Sequence, residues 1–172
     1  MFASLNAARV ETMKKLNLET FELSQNYTLF WDKLEKSNYF FESILETLDE
    51  PLEGRLMAHL LDAPIQDGGQ WDMFSGILQK YGAVPKDVMP ETFHSSDTRF
   101  FVAELTHRLR KYAQLLRDGH KAGKSVKELR ANKEAYLSHV YALLVKALGE
   151  PPRVFDFECR DKDKNFHKVE HI

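Results

Sequence analysis

The stretch SQNYTLFWDKLEKSNYFFESILETL, residues 24–48, decides the fold of this chain. Its apolar side chains recur every three to four residues, which is the spacing of one face of an α-helix. Ser24 can cap this helix and Pro51 stops it. The stripe consists of Tyr27, Phe30, Trp31, Leu34, Phe41, Ile44, Leu45 and Leu48. Because any buried helix has such a stripe, we predict that it forms core rather than a binding surface.

Helical spacing recurs on both sides of this stretch. The further predicted helices cover residues 3–16, about 56–62, 71–81, about 96–118 and 126–148. Gly82 and Gly119 stand where two of them are expected to end, since glycine is common just beyond a helix C-terminus. Ser125 and Glu128 match a capping box at the start of the last helix. Residues 83–95 are predicted to be irregular.

A different periodicity marks the end of the sequence. Phe155, Phe157 and Cys159 alternate with charged residues, which predicts a half-buried β-strand over 154–160. Residues 161–165 are predicted to form a charged turn. No partner strand is evident, and a lone strand leaves its backbone groups unpaired. We therefore expect the chain to continue into a sheet-forming part.

Composition and charge narrow the class of protein. The chain has 172 residues, of which 43% are hydrophobic and 29% charged, as is usual for a soluble globular domain. Lys and Arg number 24 against 26 Asp and Glu, a net charge of −2 that disfavours a nucleic-acid partner. No apolar run approaches the roughly 20 residues that span a membrane. A single cysteine excludes an internal disulfide, so we predict a cytoplasmic protein with no membrane partner.

The usual residues of catalysis and metal binding form no convincing set. Of the seven histidines, only His167 and His171 stand four apart, and we predict surface histidines rather than a metal site. A nucleophilic thiol needs a lowered pKa, usually from a helix N-terminus or a histidine. Cys159 lies on the apolar face of the predicted strand, so we predict a structural role. The basic residues of 108–133 are predicted to form a solvated helix face. We predict no cofactor.

The sequence Asp67-Gly68-Gly69-Gln70-Trp71 carries more information. Two successive glycines before a helix permit unusual backbone angles and the close approach of another backbone. The pair could simply make a turn. The alternative is a loop whose main chain binds an extended peptide.

Five motifs of this sequence resemble those of the bleomycin hydrolase and aminopeptidase C family. They are FELSQ at 21–25, FWDK at 30–33, DGGQW at 67–71, KYGAVPK at 80–86 and MPET at 89–92. The likeness extends to about His167, with the motifs in the same order. Members of this family are papain-like cysteine peptidases of the cytoplasm.

The resemblance implies where catalytic groups would stand. In the family, the catalytic cysteine directly precedes the residues that match Met1-Phe2-Ala3, and the oxyanion-hole glutamine lies further upstream. The catalytic histidine and asparagine lie downstream, so the resemblance implies no catalytic residue within this chain. It also implies that Gly68 and Gly69 line the cleft and bind the substrate backbone.

The fold class expected on this basis is mostly α, within an α+β parent. Residues 1–95 would form the helical half of a papain-like cysteine peptidase, with the central helix and the diglycine loop. Residues 96–150 would be a helical insertion, which in the family helps to build a ring-shaped homo-oligomer. Residues 151–172 would supply one C-terminal strand and open the β-rich half.

Two functions stay open at this point. The first is a fragment of a cysteine aminopeptidase, truncated at both ends and inactive alone, whose parent cleaves N-terminal residues from peptide substrates. The second is a non-enzymatic helical module for interaction or assembly, which the amphipathic helices of 96–148 and the unpaired strand suggest.

Overall fold

The computed structural model describes residues 2–66 and 68–172, with side chains from Ser4 onward, so Met1 and Asp67 lie outside it. In the described part, seven α-helices precede one β-hairpin. The helices are α1 (Phe2–Lys15), α2 (Gln25–Glu46), α3 (Arg55–Asp62), α4 (Trp71–Tyr81), α5 (Phe93–Ser96), α6 (Arg99–Lys121) and α7 (Val126–Leu148). The strands are β1 (Phe157–Arg160) and β2 (Phe166–Val169). The mostly helical fold is confirmed. None of the described helices combines the length and apolarity needed to cross a membrane.

Helix α2 forms the centre of the core. Its predicted cap is confirmed, because the Ser24 hydroxyl accepts a hydrogen bond from the Tyr27 N–H at 3.0 Å. Phe30, Phe41 and Ile44 are completely buried. Helices α3, α4, α6 and α7 pack around α2. The aromatic stripe is therefore core, as predicted.

Helices α6 and α7 pack against each other and against α2. The prediction that Gly119 ends α6 is wrong, because the helix continues to Lys121. The chain turns instead at Gly123, whose φ of +84° favours glycine. A Cβ at Gly119 would lie 2.9 Å from Cδ2 of the buried Leu129. Gly119 therefore permits the close approach of α7.

Other helix ends follow the sequence signals. Ser125 and Glu128 form the predicted capping box at the start of α7. Gly82, with a φ of +74°, ends α4 as predicted. The stretch 83–95 is not irregular throughout, since it contains the start of α5, which Thr92 caps. A helix of four residues is too short to produce a visible periodicity.

The C-terminal strand has a partner, so the expectation of an unpaired strand is wrong. Strand β1 pairs antiparallel with β2, which places Phe157 opposite Val169 and Cys159 opposite His167. All four residues of β2 are exposed, so β2 lacks the apolar–polar alternation that marked β1. Residues 161–165 supply the predicted turn between the strands.

Backbone hydrogen bonds attach the hairpin to the helices. Leu18, which is 1% exposed, forms an isolated bridge with Asp161. The Lys162 N–H donates to the Asn17 carbonyl at 2.9 Å. The segment between α1 and α2 therefore carries the hairpin.

The hydrophobic core is continuous from α2 to α7. The buried Asn26 side chain of α2 donates to the Leu148 carbonyl at the end of α7, at 2.7 Å. The same amide donates to the Pro90 carbonyl at 2.8 Å. The division of the chain after residues 95 and 150 stays a prediction.

Two basic residues of the 108–133 segment are buried and join helices, so the prediction of a solvated face is wrong for them. Lys133 of α7 is 7% exposed and donates to the Glu42 carboxylate of α2 at 2.7 Å. Arg117 of α6 is 8% exposed. Its guanidinium donates to the Thr47 carbonyl at 2.8 Å and to the Glu50 carbonyl. A cation placed there also interacts favourably with the negative C-terminal end of α2.

We predict that Arg117→Met lowers the free energy of unfolding by about 2 kcal/mol, because hydrogen bonds from a charged donor to two carbonyls are lost. Urea denaturation measures this change. Arg108→Met is the control, because Arg108 is partly exposed and pairs with the neighbouring Glu104 of the same helix. Its effect is expected to stay within about 0.5 kcal/mol. Equal losses in both variants would contradict the role of Arg117.

Candidate functional site

The two glycines lie in the loop between α3 and α4. Gly69 is not among the three glycines of the described chain that have a positive φ. Among the described residues, a Cβ at Gly68 would meet no atom within 4 Å, and one at Gly69 would meet the Met73 sulfur at 4.0 Å. The space above this diglycine backbone is therefore open. Asp67, the first residue of the motif, lies outside the described residues.

A buried lysine holds this loop to α2. The Lys36 side chain is 9% exposed. Its ammonium donates to the Gln66 carbonyl and to the Gly68 carbonyl, both at 2.9 Å. It also forms an ion pair with Asp32, one turn earlier on α2, at 2.9 Å. An ammonium has three protons to donate, and these partners match that number.

An apolar groove of about 610 Å³ runs beside the diglycine loop. Its apolar walls come from α2, α3, the loop and α4, namely Phe40, Leu56, Leu60, Ala63, Pro64 and Met73. A second groove of about 630 Å³ lies between α2 and α4 and shares Tyr39 and Met73 with the first. These two side chains are 74% and 45% exposed. The surface next to the glycines can therefore accept apolar side chains.

Polar contacts fix α4, and with it the loop that precedes it. The Tyr81 ring stacks on Trp31 of α2 with centroids 3.8 Å apart. Tyr81 also donates its hydroxyl to Glu35, and Lys80 pairs with the same carboxylate at 2.5 Å. Burial alone would raise the pKa of Glu35, but the hydrogen bonds from Lys80 and Tyr81 outweigh it and lower the pKa. The hydrogen bond to Glu35 raises the pKa of Lys80 to about 12.

Cys159 is half-buried in the hairpin and faces an imidazole across the strands, in register with His167. That imidazole contacts the Asp161 carboxylate at 2.9 Å. Burial raises the pKa of the Cys159 thiol, and the charge of Asp161 raises it further. A raised pKa is the opposite of what a nucleophilic thiol requires. This agrees with a structural role for Cys159.

The hairpin and the diglycine loop line different depressions. Cys159 and Asp161 border a shallow depression of about 1120 Å³, formed with the segments 19–22 and 85–88. It shares no lining residue with the groove beside Gly69. The structure therefore does not bring Cys159 to the predicted peptide-binding loop.

The remaining candidates are not brought together. His167 lies in β2, while His171 lies beyond it, so the four-residue spacing does not place them on a helix. Among the described residues, no group of three His, Cys, Asp or Glu side chains is arranged to hold a metal ion. Arg110 donates to the Leu61 and Asp62 carbonyls at the end of α3, which gives it a structural contact.

Sequence reasoning missed Lys36 and Asp32 as part of this site. Their four-residue spacing on α2 was visible. However, such pairs are common on solvated helix surfaces, where they contribute little. The informative signal was their position inside an almost continuous apolar stripe. A charged pair there has to be buried, and a buried ammonium needs further acceptors.

Comparison with known proteins identifies relatives over the whole chain. A family model described as the Peptidase C1-like family matches residues 1–172. An Aminopeptidase C of Listeria innocua is 55% identical over 166 residues, which cover 96% of this chain and 37% of the relative. A Bleomycin hydrolase of Gallus gallus is 44% identical over 170 residues, with coverage of 98% and 37%.

A solved structure gives the same result for the fold. The crystal structure of PepW from Lactobacillus rhamnosis matches with a TM-score of 0.95 and 48% identity. The match covers 98% of this chain and 38% of that one. The chain thus spans well under half the length of the relatives it matches.

We predict that Cys159 reacts with iodoacetamide more slowly in the folded chain than in urea, because burial and Asp161 disfavour the thiolate. Asp161→Asn should speed the folded-state reaction at neutral pH, since it removes the smaller of the two causes. Mass spectrometry of the alkylated chain, sampled between pH 7 and pH 10, measures both rates. A thiol that reacts faster in the folded chain than in urea would contradict this assignment.

Proposed function

Because the chain belongs to the Peptidase C1-like family, we propose that it supplies the peptide-binding helical half of a papain-like cysteine aminopeptidase. In this proposal, an extended peptide lies along Gly68 and Gly69 and hydrogen-bonds to their main chain. The parent reaction is removal of N-terminal residues through an acyl-enzyme intermediate.

The observation that carries this proposal is the open backbone at the two glycines. Nothing in the described structure fills the space in which a Cβ of Gly68 would stand. The loop carbonyls of Gln66 and Gly68 are bonded to Lys36, so the loop is held without side chains above it. Apolar grooves adjoin it. An exposed main chain beside apolar pockets suits recognition of a peptide backbone with additional side-chain contacts.

We propose that the nucleophile, its base and the oxyanion donor come from the part of the relatives' length that this chain does not span. Two facts support this division. The chain spans 37% of the Listeria relative. Its one cysteine has a raised pKa and lies away from the glycines. The single cysteine also supports a cytoplasmic location.

A second candidate, assembly into a homo-oligomer, follows from exposed apolar side chains. Phe93 and Phe100 are 72% and 67% exposed at the junction of α5 and α6. Phe166 and Val169 of β2 are 59% and 51% exposed. Large apolar side chains grouped on a surface favour association.

We predict that Gly69→Val weakens binding of the probe peptide tetra-alanine at least about tenfold, a loss of roughly 1.4 kcal/mol, because the new side chain occupies the open face. The backbone should tolerate valine, since Gly69 has no positive φ. Titration of the isotope-labelled 172-residue chain, followed by amide chemical shifts, measures the affinity.

Gln79→Val is the control. Gln79 is exposed on α4 and lines neither of the two grooves, so a valine is placed on the same helix but away from the proposed peptide site. Its affinity for tetra-alanine is expected to stay unchanged. Equal binding by the Gly69 variant and the parent would reject peptide recognition at the glycines. Iodoacetamide-sensitive hydrolysis of an aminoacyl fluorogenic substrate by this chain would reject the proposed origin of the nucleophile.

We predict that the purified chain associates as its concentration rises, because exposed apolar side chains such as Phe100 become buried. Size-exclusion chromatography with light scattering measures the mass directly. A monomer of 20.0 kDa at every concentration would argue against the assembly function.

A further inference from the structure

Lys36 determines which way the diglycine backbone points. The Gly68 carbonyl accepts a hydrogen bond from the Lys36 ammonium, which is nine-tenths buried, so this carbonyl is turned toward the protein interior. In a trans peptide unit, the carbonyl and the following N–H point in opposite directions. The described part of the chain contains no cis peptide bond. The Gly69 N–H, which belongs to the same peptide unit, is therefore directed away from Lys36.

The direction of the Gly69 N–H matters because no described residue accepts its hydrogen. Among the hydrogen bonds between described residues, none is donated by this N–H. The space over Gly68 is open, and the nearest atom to a Cβ at Gly69 would be the Met73 sulfur at 4.0 Å. An exposed main-chain donor of fixed direction is the group that an extended peptide's carbonyl requires.

Asp32 offsets the cost of burying the Lys36 ammonium in the core. A buried ammonium is strongly disfavoured unless it is paired and hydrogen-bonded. Asp32 is 3% exposed, and its carboxylate accepts a hydrogen bond from the Lys36 ammonium at 3.0 Å. The Lys33 nitrogen lies 3.6 Å from the same carboxylate. The ion pair with Asp32 holds the Lys36 ammonium in a position from which it bonds to the diglycine loop.

We infer that Lys36, held by Asp32, is a positioning residue that orients the Gly69 N–H toward a bound peptide. This inference rests on the proposed function, since it concerns the same site. The backbone of two consecutive glycines can adopt many conformations. If the loop were not anchored, it would lose this conformational entropy when a peptide binds, and binding would be weaker. The Lys36 hydrogen bonds remove that cost before binding. Lys36 acts through the loop and is not expected to contact the peptide.

The experiment compares Lys36→Met with Lys133→Met in the full 172-residue chain. Both lysines are buried, and both donate to side-chain oxygens. Lys133 bonds to Asn38 at 2.8 Å and to Glu42 at 2.7 Å, so it lacks contact with the loop. Each variant therefore loses a buried ammonium, but only one loses the loop anchor. Tetra-alanine is the probe, and the Gly69 amide shift is the spectroscopic signature.

The expected result is a selective loss. Lys36→Met should bind tetra-alanine at least about tenfold more weakly, and the peptide-induced shift of the Gly69 amide should disappear. Lys133→Met should keep the affinity for tetra-alanine and the Gly69 amide shift within twofold of the parent values. Both variants are expected to melt at a lower temperature than the parent. The NMR order parameters of the Gly68 and Gly69 amides should fall only in the Lys36 variant, because only this variant frees the loop.

The remaining outcomes separate this inference from the proposed function. If Lys36→Met binds tetra-alanine as the parent does, the positioning role is overturned and peptide binding stands. If both lysine variants lose affinity equally, general destabilisation explains the loss and the positioning role is again overturned. If the parent chain shows no Gly69 response, the proposed peptide site is rejected. The order parameters of the loop amides then decide independently whether Lys36 holds the loop.

Discussion

Helix α2 is enclosed by other helices along most of its length, and most of its buried polar side chains bond to partners within the protein. This constraint organises the rest of the structure. Lys36 bonds to the diglycine loop, and Asn26 bonds to the end of α7. Glu42 receives Lys133 of α7. Since a buried polar group without a partner is costly, each of these contacts specifies how one neighbour must sit.

The candidate site results from that arrangement. The glycines provide a main chain without side chains above it, while the Lys36 ammonium fixes the direction of one peptide unit. Contacts of Tyr81 with Trp31 and Glu35 hold the helix that follows. The loop thus has an open outer face, while its inner face is hydrogen-bonded to the protein. The Cys159 thiol is kept apart from it, in a hairpin where its pKa is raised. The diglycine loop and the Cys159 thiol therefore border different depressions of the surface.

Most helices could be predicted because local signals suffice for them. The Ser24 cap and the Ser125 capping box satisfy N–H groups within one turn, so the partners are close in sequence. The prediction that Gly119 ends α6 was wrong because the role of this glycine depends on Leu129 of another helix. Strand β2 escaped detection because it is fully exposed, and exposed strands carry no apolar alternation. The role of Gly119 and the presence of β2 both depend on contacts with another element of the fold, which the local sequence does not report.

The sequence alone determined the helical character of the chain, the aromatic core face of α2 and the place of the Gly68-Gly69 pair, because periodicity and capping are read from neighbouring residues. Its motifs also determined the family, because several long motifs in the same order identify a family from the sequence alone. Only the tertiary structure decided that Lys36 and Asp32 serve the loop and that Cys159 faces His167. Lys36 and Gly68 are 32 residues apart, and no local pattern reports which carbonyl a buried ammonium reaches.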